Sequence, residues 1–203
     1  MTRFNSLARR GGLATLALLA AGAAQAHPGH DTTSLVDGLV HPFTGFDHLL
    51  AMVAVGLWSA AALPAGRRVA GPAAFLTMLL LGAALPQFGL QLPGLEAGVA
   101  LSVTALAGLM IAARSPALRL PVPAGLALVG VAALLHGLAH GAELGAGQSF
   151  AGYAVGFMTA SALLHGAGLA VGGWLLQAGQ TWAWRATAGL VGFSGLALLA
   201  GRL

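Results

Sequence analysis

The 203-residue chain has no cysteine, no lysine and only five acidic residues. Without cysteine there can be no disulfide, no thiolate metal site and no thiol nucleophile, so any bound metal must take nitrogen and oxygen ligands. Without lysine there can be no phosphate-binding G-x-x-x-x-G-K-[ST] loop, which rules out an ATPase of that kind within the chain. Charged residues make up 7% of the sequence, far below the roughly 25% of a soluble globular domain, and a soluble fold is excluded on that ground. The isoelectric point near 11.5 does not signal a nucleic-acid partner, because no Arg-rich face or aromatic-interleaved basic patch accompanies it.

Apolar residues dominate instead, at 58%, and they fall in recurrent runs of about 18 to 25 residues, each able to cross a hydrocarbon core about 30 Å thick. The 31 glycines favour close helix packing inside such a bundle. Arg3, Arg9 and Arg10 precede an apolar stretch from Gly11 to Ala24 and the small-residue pattern Ala24-Gln25-Ala26, the layout of a secretory signal peptide cleaved after Ala26. Residues 1–26 are therefore expected to be removed. The mature chain, 27–203, keeps six Arg against five acidic residues, so its basicity implies no acidic partner.

The rest of the chain predicts an all-α membrane protein, a single bundle of six transmembrane helices with no room for a second domain. The expected helices run from about Leu39 to Leu63, Val69 to Leu85, Gly94 to Ala113, Ala124 to Glu143, Ser149 to Leu176 and Ala186 to Gly201, with Pro and Gly at the breaks. Arg residues occupy the loops after the first, third and fifth helices and are missing from those after the second and fourth. The positive-inside rule then puts both mature termini outside, as a cleaved signal peptide also requires. Trp58, Trp182 and Trp184 near helix ends suggest anchors at the membrane interface, and the spacings Gly152 to Gly156 and Gly168 to Gly172 suggest contacts within the bundle.

An ionisable side chain inside a membrane helix is expensive, and each one is a functional-site hypothesis. In the first helix, His41 and His48 differ by about 20° around a continuous axis and would share a face, with Asp47 at its edge. Asp47 could ligate a metal directly, or accept the second ring N–H of a ligating histidine from a neighbouring helix and fix its tautomer. In the fourth helix, His136, His140 and Glu143 fall within about 60° on one side. Gly137 and Gly141 beside them could admit a neighbouring helix or an ion closely. His165 in the fifth helix is a further candidate ligand, or else a polar side chain bonded to a nearby carbonyl. At the expected mature N-terminus, His27 and His30 could add an outward-facing chelate. Glu96 reads as an interfacial carboxylate, and Met52 as core filler near a cluster. Imidazole and carboxylate without sulfur suit Ni²⁺, Co²⁺, Zn²⁺ or Cu²⁺ and disfavour Cu⁺ and Mg²⁺. Both clusters fall in the outer half of the bundle, where ions arriving from outside would meet them first.

The motif His-x5-Asp-His at His41, Asp47 and His48, together with His136-Gly-x-x-His140-Gly-x-Glu143, resembles the HupE/UreJ family of bacterial membrane proteins. The resemblance takes in the signal peptide, the His-Pro-Gly-His start of the mature chain and the six-helix count. One departure is Leu135, where the family often has Phe before the first histidine of the second motif. Membership would imply a secondary permease of the bacterial inner membrane, importing Ni²⁺ or Co²⁺ to supply hydrogenase or urease maturation proteins. It would have no tightly bound cofactor, and its partners would be the metal ion and the lipid bilayer. Two other classes fit the same residues: an intramembrane zinc-dependent hydrolase with Asp47 or Glu143 as base, and a non-transporting membrane metal donor for a maturation complex.

Overall fold

The computed structural model describes residues 35–144 and 149–203. The signal peptide, His27 and His30 lie outside the described residues. The described residues are helical and contain no strand. Among them are seven α-helices, α1 Leu35–Thr44, α2 Phe46–Ala62, α3 Ala70–Ala84, α4 Leu95–Ala113, α5 Val122–Ala142, α6 Phe150–Gln177 and α7 Thr181–Ala200, with short 3-10 turns at Ala65–Arg67 and Leu85–Phe88. Local chemistry sets several of the ends. Pro123 lies in the first turn of α5, where a missing N–H costs nothing, and the Ser149 side chain accepts the Gly152 N–H at the start of α6. The 3-10 turn after α3 closes on Gly89 at φ 84°, a conformation that L side chains rarely adopt.

Five stretches are long and apolar enough to cross a membrane, Ala65–Phe88, Leu95–Ala113, Val122–Ala142, Phe150–Gln177 and Thr181–Ala200, and a sixth arises if α1 and α2 count as one span. This pair corrects the sequence reading. The expected continuous helix from Leu39 to Leu63 is broken at Gly45, and its two pieces meet at 83°. Pro42 inside α1 supplies no backbone N–H, and Gly45 is extended (φ −83°, ψ 107°), so the helical ladder stops and restarts. The last helix also begins earlier than expected, at Thr181 instead of Ala186.

Glycine faces fix the packing. Gly56 of α2 abuts Gly168 of α6, and Ala60 abuts Gly172, so these helices run in parallel with touching backbones. Likewise Gly137 and Gly141 of α5 lie against Leu79 and Ala83 of α3, again in parallel, and Gly156 lies against the α1 backbone. The α4–α7 pair is antiparallel: Trp184 bonds to the Met110 carbonyl near one end, while Arg202 reaches Glu96 at the other. Helix α2 is central, with eleven of its seventeen residues buried. Leu101, Val131, Leu163 and Phe193 face outward from the other helices. An interior lined with glycine, alanine and histidine inside an apolar exterior is the arrangement of a multi-pass membrane protein. Trp58 and Trp184 are buried inside the bundle rather than set at its surface, and of the three tryptophans expected as interfacial anchors only Trp182 is exposed.

Candidate metal centre

The break at Gly45 builds the site. It turns α2 so that its first residues point into the bundle, where Asp47 and His48 are buried. A buried carboxylate needs compensation, and Asp47 has three sources. Its Oδ1 accepts the His48 backbone N–H at 2.7 Å and the His48 Nδ1–H at 2.6 Å, its Oδ2 meets the Arg202 guanidinium at 2.6 Å, and the N-terminus of α2 adds its partial positive charge. Glycine is required at position 45 for space rather than for dihedral freedom. A Cβ there would come within 2.9 Å of His48 Nδ1 and 3.2 Å of Asp47 Oδ1.

His41 and His48 do come together, with ring centroids 5.7 Å apart, but across the bend and not along one helical face. Helix α5 brings His140 between them, with centroids 4.7 Å from His41 and 4.5 Å from His48, and His136 lies 4.7 Å from His48 on its other side. One ligand atom from each of His41, His48 and His140 falls within 4.8 Å of the others. Two nitrogens bound to one ion at about 2.1 Å can be at most about 4.2 Å apart, so small ring rotations would close this triad on a single ion.

Hydrogen bonding fixes which nitrogens are available. In a neutral imidazole one nitrogen donates and the other carries a lone pair. His48 donates through Nδ1 to Asp47, which leaves Nε2 free. The Ser102 hydroxyl spends its only hydrogen on the Val99 carbonyl at 2.7 Å, so it can only accept from His136 Nε2 at 3.1 Å, and the His136 lone pair sits on Nδ1. His165 donates through Nδ1 to the Ser161 carbonyl at 2.5 Å. His48 Nε2, His136 Nδ1, His140 Nε2 and His165 Nε2 are all buried without a partner. Such groups normally cost about 1–3 kcal/mol each, and four of them mark a site prepared for something else.

The predicted residues separate into distinct places. Asp47 serves the histidine next to it in sequence, not one from a neighbouring helix. Glu143 meets His41 Nε2 at 2.8 Å, with its side chain 43% exposed, at the rim. His165 lies apart from the triad: it is bonded to a carbonyl, as one of the two expectations had it, and its second nitrogen is without a partner. Between His136 and His165 comes the buried ring of Phe75, centroids 6.0 Å from the first and 4.9 Å from the second. Sequence reasoning overlooked Phe75, Ser102, Tyr153, Phe157 and Arg202. Phe157 stacks on His140 at 4.6 Å, and Tyr153, the only tyrosine of the chain, places its hydroxyl 3.5 Å from His140 Nδ1. Since Tyr153 and Phe157 lie one turn apart on the helix that also carries His165, their spacing was the available signal.

Bundle and imidazole cluster together define a helical membrane protein with a buried, nitrogen-rich centre that one metal ion could occupy. The chain belongs to the HupE/UreJ family, whose model matches residues 15–198. It is 40% identical over 190 residues to protein HupE of Rhizobium leguminosarum bv. viciae, covering 92% of this chain and 96% of that protein. No solved structure matches.

Proposed function

We propose that this protein is a secondary permease that carries Ni²⁺ or Co²⁺ inward across the bacterial inner membrane to supply hydrogenase or urease maturation. The observation that carries this reading is the file of rings His41, His140, His48, His136, Phe75 and His165, which begins at the half-exposed His41–Glu143 pair and leads into the bundle. Glu143 and His41 receive the hydrated ion at the rim. His41, His48 and His140 replace its water, with His136 beside His48 as a further nitrogen on the bound ion, and His165 receives it past Phe75. Neutral imidazoles suit a carrier, because they bind a borderline cation without the full charge that would trap it. The membrane potential is a sufficient driving force, since a divalent ion gains about 4.6 kcal/mol per 100 mV, twice the single-charge value.

In this reading residues 1–26 are a signal peptide, both mature termini face outward, and His27 and His30 chelate near the entrance. Sequencing of the mature N-terminus should begin at His27. The deciding experiment is radiometal uptake by proteoliposomes, with nickel, cobalt and zinc in competition. Expected is nickel or cobalt flux that His48→Ala with His140→Ala abolishes. Flux that survives the double substitution overturns the model; binding without flux would point to a metal donor, and lipid cleavage with a fixed ion to a hydrolase.

A further inference from the structure

Arg202 breaks the charge pattern of the bundle. Five of the six arginines among the described residues, Arg67, Arg68, Arg114, Arg119 and Arg185, lie after α2, after α4 or in the first turns of α7, at the end away from the imidazoles. Arg202 alone follows α7 at the imidazole end, and its side chain is only 23% exposed. One nitrogen, Nη2, meets Asp47 Oδ2 at 2.6 Å and Glu96 Oε2 at 3.2 Å, while Nη1 donates to the Glu96 backbone carbonyl at 2.8 Å. The two Asp47 oxygens are thus divided, one to His48 and one to Arg202.

We infer that Arg202 is a positioning residue: acting through Asp47, it holds His48 in the tautomer and orientation that present Nε2 to the metal ion. The inference rests on reading the imidazole cluster as the metal site. The His48 backbone N–H and ring N–H both fall on Oδ1, so without Arg202 the second oxygen has no partner and the carboxylate plane can turn about that shared point, loosening the hold on the imidazole. Arg202 removes that freedom by fixing the second oxygen from α7, while Glu96 of α4 fixes Arg202. Repulsion between Arg202 and the ion is the opposing effect. It is weak, because the guanidinium is already matched by two carboxylates, whereas loss of a partner that orients a ligating histidine typically weakens metal binding 10- to 100-fold.

The test measures Ni²⁺ binding to the purified full-length protein in detergent by titration calorimetry, alongside Ni²⁺ uptake into proteoliposomes. Arg202→Gln should weaken binding about tenfold or more and raise the KM of uptake more than it lowers the maximal rate. On an Asp47→Ala background the same substitution should change binding by less than about twofold, since two residues acting through one contact are not additive. A chain ending at Gly201 should reproduce Arg202→Gln, and Arg202→Lys, which keeps a cation opposite Asp47, should fall between it and the parent. An equal loss on the Asp47→Ala background would make Arg202 a clamp between α7 and α4 and overturn the proposal. Tighter binding in Arg202→Gln would overturn it as well, by showing that repulsion dominates. If the parent binds nickel but does not carry it, the permease reading fails while the binding arm still decides the role of Arg202.

Discussion

At the scale of single residues the centre is defined by where protons are, and two hydroxyl and carboxylate partners decide that. Ser102 illustrates it, because its one hydrogen is committed to Val99 and the His136 ring has no choice of tautomer. Ser102→Ala removes the acceptor and lets the proton move to Nδ1, where it blocks the lone pair. Nickel affinity should fall about tenfold and the melting temperature should drop as well, since the buried ring loses its only partner; unchanged calorimetric binding would show that His136 does not touch the ion. His136→Leu makes the complementary point. It deletes a buried unpartnered nitrogen whose desolvation costs about 1–3 kcal/mol, so the metal-free protein should melt no lower than the parent while binding weakens. A lower melting temperature would mean that the ring is held by packing and not reserved for a ligand. Residue identity made the histidines and carboxylates legible from the sequence. Their partners were not, because Ser102, Arg202 and Phe75 carry no pattern of their own and matter only through the helix that folds against them.

At the scale of helices, close backbone contact does most of the positioning. Five of the seven α-helices among the described residues were legible as separate apolar runs with Pro or Gly at their ends, and the first two were read as one. The break in the first span was not, since Pro42 and Gly45 each occur in unbroken membrane helices and only their combination with a buried Asp47–His48 pair forces the bend. The helical-phase argument for His41 and His48 reached the right neighbours by the wrong geometry. Gly137 shows how tightly α5 is held: a Cβ there would overlap the Leu79 carbonyl and crowd Ala83. Replacing glycine by alanine gains about 1 kcal/mol in helix propensity, while overpacking against rigid backbone costs about 1–3 kcal/mol. Overpacking should win, so Gly137→Ala should lower the melting temperature in detergent and weaken nickel binding through the displaced His136 and His140. Gly166→Ala is the control, with nothing within 4 Å of the added methyl, and should be neutral or slightly stabilising. Equal behaviour of the two variants would refute close α3–α5 contact as the device that sets the imidazoles.

For the whole molecule, the question is whether binding and passage are separate. Helices α2 and α6 run in parallel, and His165 lies twelve residues beyond Tyr153 on α6, about 18 Å further along at 1.5 Å per residue. Tyr153 is buried beside the rim residue His41, ring centroids 5.8 Å apart, so His165 sits deep in the bundle beyond Phe75. Nothing in the triad requires His165, whose free Nε2 would be without purpose if the protein only stored an ion near its surface. A carrier must instead offer a second site weak enough to release what the first has captured. His165→Ala should therefore leave equilibrium nickel binding within about twofold of the parent, because the outer triad is untouched, yet reduce proteoliposome flux at least tenfold, the equivalent of about 1.4 kcal/mol on the limiting barrier. Phe75→Leu should act oppositely on passage, loosening the contact between the two sites while keeping an apolar side chain in the core. If His165→Ala lowers binding and flux by the same factor, His165 is part of the first site. If it lowers neither, its bond to Ser161 is the whole of its role, and the path of the ion diverges from the file of rings beyond His136.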